Sequence, residues 1–202
     1  MKSTRPVGAI AMPMPKSAST DRELVFAPLL QSRKVAPTER FSFQIRGNAY
    51  VSADATAYTG ALSTEIWYAV NSKPGATVVT PAFAELTTHV DITVWEVSGI
   101  STSAPDVTNT SSGSVTLNNT PGPAVITTHA GDFIVSILFV ADTNISGVSM
   151  GNEFTNDFTT DGNGWAHITS NSAPPGSHQA SWITSTPQGV YCASTVAFRP
   201  AQ

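Results

Sequence analysis

From about residue 41 onward the chain alternates short apolar runs with turn residues. Phe41–Ile45, Ser63–Val70, Val90–Val97, Ala124–Thr128, Phe133–Val140, Trp165–Asn171, His178–Thr184 and Tyr191–Phe198 are rich in β-branched and aromatic residues and read as strands. Lys73-Pro-Gly75, Pro121-Gly-Pro123, Asp161-Gly-Asn-Gly164, Pro174-Pro-Gly176 and Pro187-Gln-Gly189 separate them, and each supplies the backbone angles of a turn. No long window sustains the 3.6-residue period of an amphipathic helix. Short strands at this spacing predict an all-β fold, a two-sheet antiparallel sandwich of jelly-roll type. The most apolar run, Phe133–Val140, has the length of a strand and falls well short of the ~20 residues of a membrane helix.

Residues 1–40 follow neither period. They hold Pro6, Pro13, Pro15, Pro28 and Pro37, and proline fixes φ and removes a hydrogen-bond donor, which favours extended structure. Only Leu24-Val-Phe-Ala-Pro-Leu-Leu30 is apolar enough to bury. The division expected is an extended basic arm over 1–40 and a sandwich over 41–202. Charge supports it. The 202 residues carry a net charge of -4 and only 12% charged residues. Residues 1–46 hold eight cations against three acids, +5, and the remainder holds two against eleven, -9. A uniformly basic nucleic-acid binder is excluded, whereas a basic arm docking on an acidic neighbour is not. Arg5, Lys16, Arg22, Arg33, Lys34 and Arg40 are the candidate assembly contacts. They are too thinly spread for an arm that packages nucleic acid.

A resemblance joins these segments. Trp67-Tyr-Ala-Val-Asn71, Thr93-Val-Trp-Glu-Val-Ser-Gly-Ile100, Gly131-Asp-Phe-Ile-Val-Ser-Ile-Leu-Phe139, Gly164-Trp-Ala166, Pro174-Pro-Gly-Ser-His178 and Thr195-Val-Ala-Phe-Arg-Pro200 occur in that order. Together, over roughly residues 60–200, they resemble a jelly-roll-like β-sandwich module of phage structural proteins and large bacterial surface proteins. The resemblance implies a virion or cell-surface module rather than a reaction, and a structural role for Glu96.

The chemistry-bearing residues are sparse. One cysteine, Cys192, permits neither an intrachain disulfide nor a cysteine-based zinc site, and its alternation with Ser194, Val196 and Phe198 places it in the core. The four histidines, His89, His129, His167 and His178, form no His-x-x-x-His or Glu-x-x-His pair, and none reads as having an acid at ligand spacing. No nucleophile elbow or phosphate loop occurs. Asp157 and Asp161-Gly-Asn-Gly164 resemble part of a calcium loop, but a hairpin turn explains them equally and the oxygen shell is short of acids. No metal, cofactor or catalytic residue is therefore expected. The remaining candidate is a glycan platform. A hairpin of Trp165–Asn171 with His178–Thr184 would put Trp165, His167, His178 and Trp182 on one face, and flat aromatic rings edged by polar groups suit sugars. Inward packing of the same tryptophans is the competing reading.

The expected function is a non-enzymatic phage virion protein: a capsid decoration, small tail or fibre subunit anchored by its arm. Its partners would be other virion proteins and further copies of itself, a trimer included. A carbohydrate-binding adhesion module and the coat protein of a small jelly-roll virus are the alternatives. The opening segment is broken by Pro13 and Pro15 and makes a poor signal peptide, so the expected location is the particle. No membrane partner is expected.

Overall fold

The computed structural model describes residues 22–31, 42–45, 48–53, 57–59, 62–72, 80–82, 89–103, 105–116, 118–141, 145–149, 152–160, 163–169, 172–186 and 188–202. Among these the chain forms strands and no helix. The strands are β1 Arg22–Gln31, β2 Ser42–Ile45, β3 Asn48–Ala49, β4 Val51–Ser52, β5 Ala57–Thr59, β6 Leu62–Thr64, β7 Trp67–Ala69, β8 Thr80–Ala82, β9 His89–Ser98, β10 Val107–Ser114, β11 Thr120–Pro121, β12 Val125–Thr127, β13 Phe133–Val140, β14 Ile145–Val148, β15 Thr155–Thr160, β16 Asn163–Ile168, β17 Gly176–His178, β18 Ser181–Thr184 and β19 Val190–Phe198. Every pairing between them is antiparallel.

The centre is a five-stranded sheet in the order β10-β19-β13-β16-β15. All eight residues of β13 are buried. Side chains of a strand alternate between its faces, so full burial requires cover on both sides. The odd-numbered Phe133, Val135, Ile137 and Phe139 join Trp165, Cys192, Val196 and Phe198, and pack with Leu62, Ile66 and Tyr68 from the segment around β6 and β7. The even-numbered Ile134, Leu138 and Val140 join Ala166, Ala193 and Ala197 under Trp182 of β18. Each fully buried side chain of this size contributes about 1.5–3 kcal/mol. Two hydroxyl pairs inside the apolar layers are matched: Thr64 Oγ1 lies 2.8 Å from Ser194 Oγ, and Ser136 Oγ lies 2.9 Å from Thr195 Oγ1.

The odd face is covered by a sheet ordered β4-β7-β1-β6-β5, with β9 also paired to β1. Strand β1 contains the one apolar stretch of the basic segment. It runs beside β9 over its whole length, from Arg22↔Ser98 to Gln31↔His89, and pairs with β7 and β6 as well. The even face is covered by the ladder β11-β18-β14 and by β12-β17, and β3-β2-β8 forms a further small sheet.

The expected hairpin across Pro174-Pro-Gly176 does not form. Strand β16 pairs with β13 and β15, β17 with β12, and β18 with β11 and β14. The run read as one strand over 178–184 is broken at Gln179 and Ala180, and its halves enter different ladders. Strands β15 and β16 pair through Thr160↔Asn163, and Asp161 and Gly162 of the expected turn lie outside the described residues.

A candidate metal centre at one end of the central sheet

Three neighbouring strand ends meet at one edge of the central sheet. Registers Val107↔Ala197 and Phe133↔Phe198 place the start of β10, the end of β19 and the start of β13 side by side. The residues just beyond these ends are Asp106, Arg199 and Asp132. Backbone bonds fix two of them: Asp106 N donates to Ala197 O at 2.8 Å, and Ser101 N donates to Arg199 O at 2.8 Å. His129 arrives from the turn between β12 and β13. That turn closes through Gly131, whose φ of 84° is in the left-handed region that suits glycine, and whose N donates to Ala173 O at 2.8 Å.

One ligand atom each of Asp106, His129 and Asp132 lies within 4.8 Å of the others. Asp106 Oδ1 accepts from Arg199 Nε at 2.6 Å and from Nη2, a two-pronged guanidinium contact, and Oδ2 lies 3.5 Å from His129 Nδ1. Thr128 Oγ1 is 3.0 Å from the same nitrogen. Burial pushes the Asp106 carboxyl up, but the hydrogen bond and charge of Arg199, with those of His129, outweigh it and hold it below the usual carboxylate value. Asp132 is the opposite case. It is 0% exposed, and in its ionised form neither carboxylate oxygen has a hydrogen-bond donor. Burial, then the charge of the neighbouring Asp106 carboxylate and the hydrogen bond that a protonated Asp132 makes to it, push its carboxyl up to about 6, against the opposing pull of His129 and Arg199. A cavity of about 530 Å³ adjoins the cluster, with Ser101, Ser103, Thr128, His129, Arg199 and Gln202 among its lining. Two acids, an imidazole and a guanidinium beside a cavity can hold a cation or orient an anionic group.

The sequence alone does not reveal this cluster. His129 and Asp132 stand three positions apart, a ligand spacing, and that pair is the one signal in the sequence. Asp106 and Arg199 are brought to it only by strand pairing.

The sequence-nominated platform is dismantled. Trp165 and Trp182 are 1% and 0% exposed and occupy opposite faces of the central sheet, so they share no surface. Trp182 instead packs against Gly164, where a Cβ would come within 2.8 Å of Cε3 and closer still to Cζ3. His178 is buried, with Nδ1 2.9 Å from Glu153 Oε2 and Nε2 2.9 Å from Pro174 O. His167 is half-buried, its Nδ1 2.7 Å from Asp157 Oδ1, and Trp95 Nε1 donates to Asp157 Oδ2 at 3.0 Å. Asp157 thus lies against two ring nitrogens. Asn163 donates through Nδ2 to Asp91 Oδ2. Cys192 is buried as expected. Of the arm cations, Arg22 opens β1; Arg5, Lys16, Arg33, Lys34 and Arg40 lie outside the described residues.

Compared with known proteins, the chain matches no family model, no curated sequence and no solved structure.

Proposed function

We propose that the chain is a non-catalytic structural subunit of a phage particle, a capsid decoration, tail or fibre protein, folded as a jelly-roll-type sandwich and working as a homo-oligomer. One observation carries the assembly part of this reading. Strand β10, Val107–Ser114, is an edge of the central sheet and, among the described residues, pairs with β19 alone. Free edges are usually blunted by charge, proline or a bulge, and this one carries neither charge nor proline. Beside it, β12 exposes Ile126 at 70%. An uncharged edge next to an exposed aliphatic side chain suits addition of a neighbouring subunit's strand. The sequence resemblance supports the phage setting, and the opposite charges of the N-terminal segment and the body support docking of one on the other.

Light scattering of the full chain tests self-association. The expectation is an oligomer that Thr110→Lys combined with Ile126→Lys converts to a folded monomer. A wild-type chain that stays monomeric at submillimolar concentration overturns it. Co-sedimentation with virions of the encoding phage tests the particle. Removal of residues 1–21, rather than 1–40, is the informative truncation, because the longer cut also deletes β1 from its sheet. Loss of sedimentation with the fold intact is expected; equal sedimentation of both forms overturns the anchoring role.

A further inference from the structure

We propose that Asp106, His129 and Asp132 bind a divalent transition-metal ion, with Zn2+ the best chemical match and Mn2+ the next, which pins the starts of β10 and β13 to one another. Two independent observations meet here. The first is the convergence of three ligand atoms of the right kinds within 4.8 Å, from segments 23 or more residues apart on one side and a tight turn on the other. The second is Asp132 itself. A fully buried carboxylate with no donor on either oxygen is costly, and an ion in the cluster would satisfy it.

The geometry near Asp106 suits an ion. Arg199 occupies Oδ1, which leaves Oδ2 facing His129 Nδ1 at 3.5 Å. Two ligands of a tetrahedral zinc at about 2.1 Å lie about 3.4 Å apart, so this pair already spans one edge of such a site. The third ligand needs a shift of at most about 1.4 Å to close from 4.8 Å. Thr128 is exposed, and its hydroxyl can turn to water and release Nδ1. Arg199 then acts as a positioning residue: its fork orients the Asp106 carboxylate, as hydrogen bonds to metal ligands commonly do. The donor set argues the ion. Two carboxylate oxygens and one imidazole nitrogen are a mixed O/N set that suits Zn2+ and Mn2+, whereas Ca2+ wants six or more oxygens. Three protein ligands leave a fourth position, and the cavity bounded by His129 and Arg199 is the side from which water would fill it.

The full chain, freed of metal by chelator and dialysed, is titrated calorimetrically with ZnCl2, MnCl2 and CaCl2, and its thermal unfolding is followed with each ion. Zn2+ is expected to bind one per chain and raise the melting temperature, with Ca2+ weaker than either transition ion. His129→Ala removes a partly exposed ligand, with its fold checked by circular dichroism; Asp132→Asn keeps the shape of the buried one. Each is expected to weaken Zn2+ binding more than about tenfold. Asp157→Asn, at the separate His167–Asp157 pair, is expected to bind as the parent does. No binding of Zn2+ or Mn2+, binding that survives His129→Ala undiminished, or a clear preference for Ca2+ overturns the proposal.

Discussion

Replacing Glu65 by Gln tests the electrostatics of the covering sheet directly. Glu65 sits between β6 and β7, 6% exposed, and its Oε2 accepts a 2.8 Å hydrogen bond from Trp67 Nε1. Burial pushes its carboxyl from 4.5 up to about 7, against the lowering effect of that bond. The folded chain therefore holds a proton that the unfolded chain releases between pH 4.5 and 7. Stability follows the proton: where the native state binds more protons than the unfolded one, unfolding free energy falls as pH rises. The shift of about 2.5 pH units, at 1.36 kcal/mol each, amounts to about 3 kcal/mol. That stabilisation is complete below about pH 4.5 and lost above about 7. Gln keeps the size and an acceptor oxygen for Trp67 but cannot ionise. Urea unfolding of parent and Glu65→Gln at intervals from pH 4.5 to 8.5 measures the difference. Asp132, whose carboxyl is also raised, contributes equally to both chains and cancels. The variant is expected to match the parent near pH 4.5 and to exceed it by about 3 kcal/mol at pH 8. Parallel pH profiles for the two chains would refute the assignment of a buried, proton-retaining Glu65.

Three further outcomes follow from the packing. Gly164→Ala drives a Cβ into the Trp182 ring, and overpacking of this kind costs about 1–3 kcal/mol, read as a lower urea midpoint with an unchanged slope. Trp182→Ala empties a core position and is expected to cost about 3–5 kcal/mol, so it lowers the melting temperature instead of selectively removing a sugar-binding face; a variant as stable as the parent would contradict the burial. The Cys192 thiol is fully buried and pushed up to about 12, chiefly by burial, so a thiol reagent at pH 8 is expected to label it only at the rate of unfolding, and immediate labelling would place it at the surface.

Where a strand could be recognised from its residues depended on its cover. Strand β13 is apolar throughout because both of its faces are buried, and its limits coincide with those expected. Strands β9 and β19 also fall where their β-branched and aromatic residues predict. Strand β10, Val-Thr-Asn-Thr-Ser-Ser-Gly-Ser, carries no strand signal because an edge strand open to water needs no apolar alternation. The 178–184 run reads as one strand because propensity is local, whereas the break between β17 and β18 is decided by which ladder each half can reach.

The sequence by itself determined the class of this protein: an all-β chain with a buried cysteine, a charge division near residue 46 and an apolar central strand. These are properties of composition and of the two-residue period, which any strand must obey. The tertiary structure decided partnership. It sent Trp165 and Trp182 to opposite faces of one sheet, because residues 164 and 165 of β16 point to opposite sides and Gly164 leaves room for an indole. It also brought Asp106, His129, Asp132 and Arg199 together, because antiparallel pairing of β10, β19 and β13 aligns a strand's end with its neighbours' starts. No local pattern encodes that alignment; only the register does.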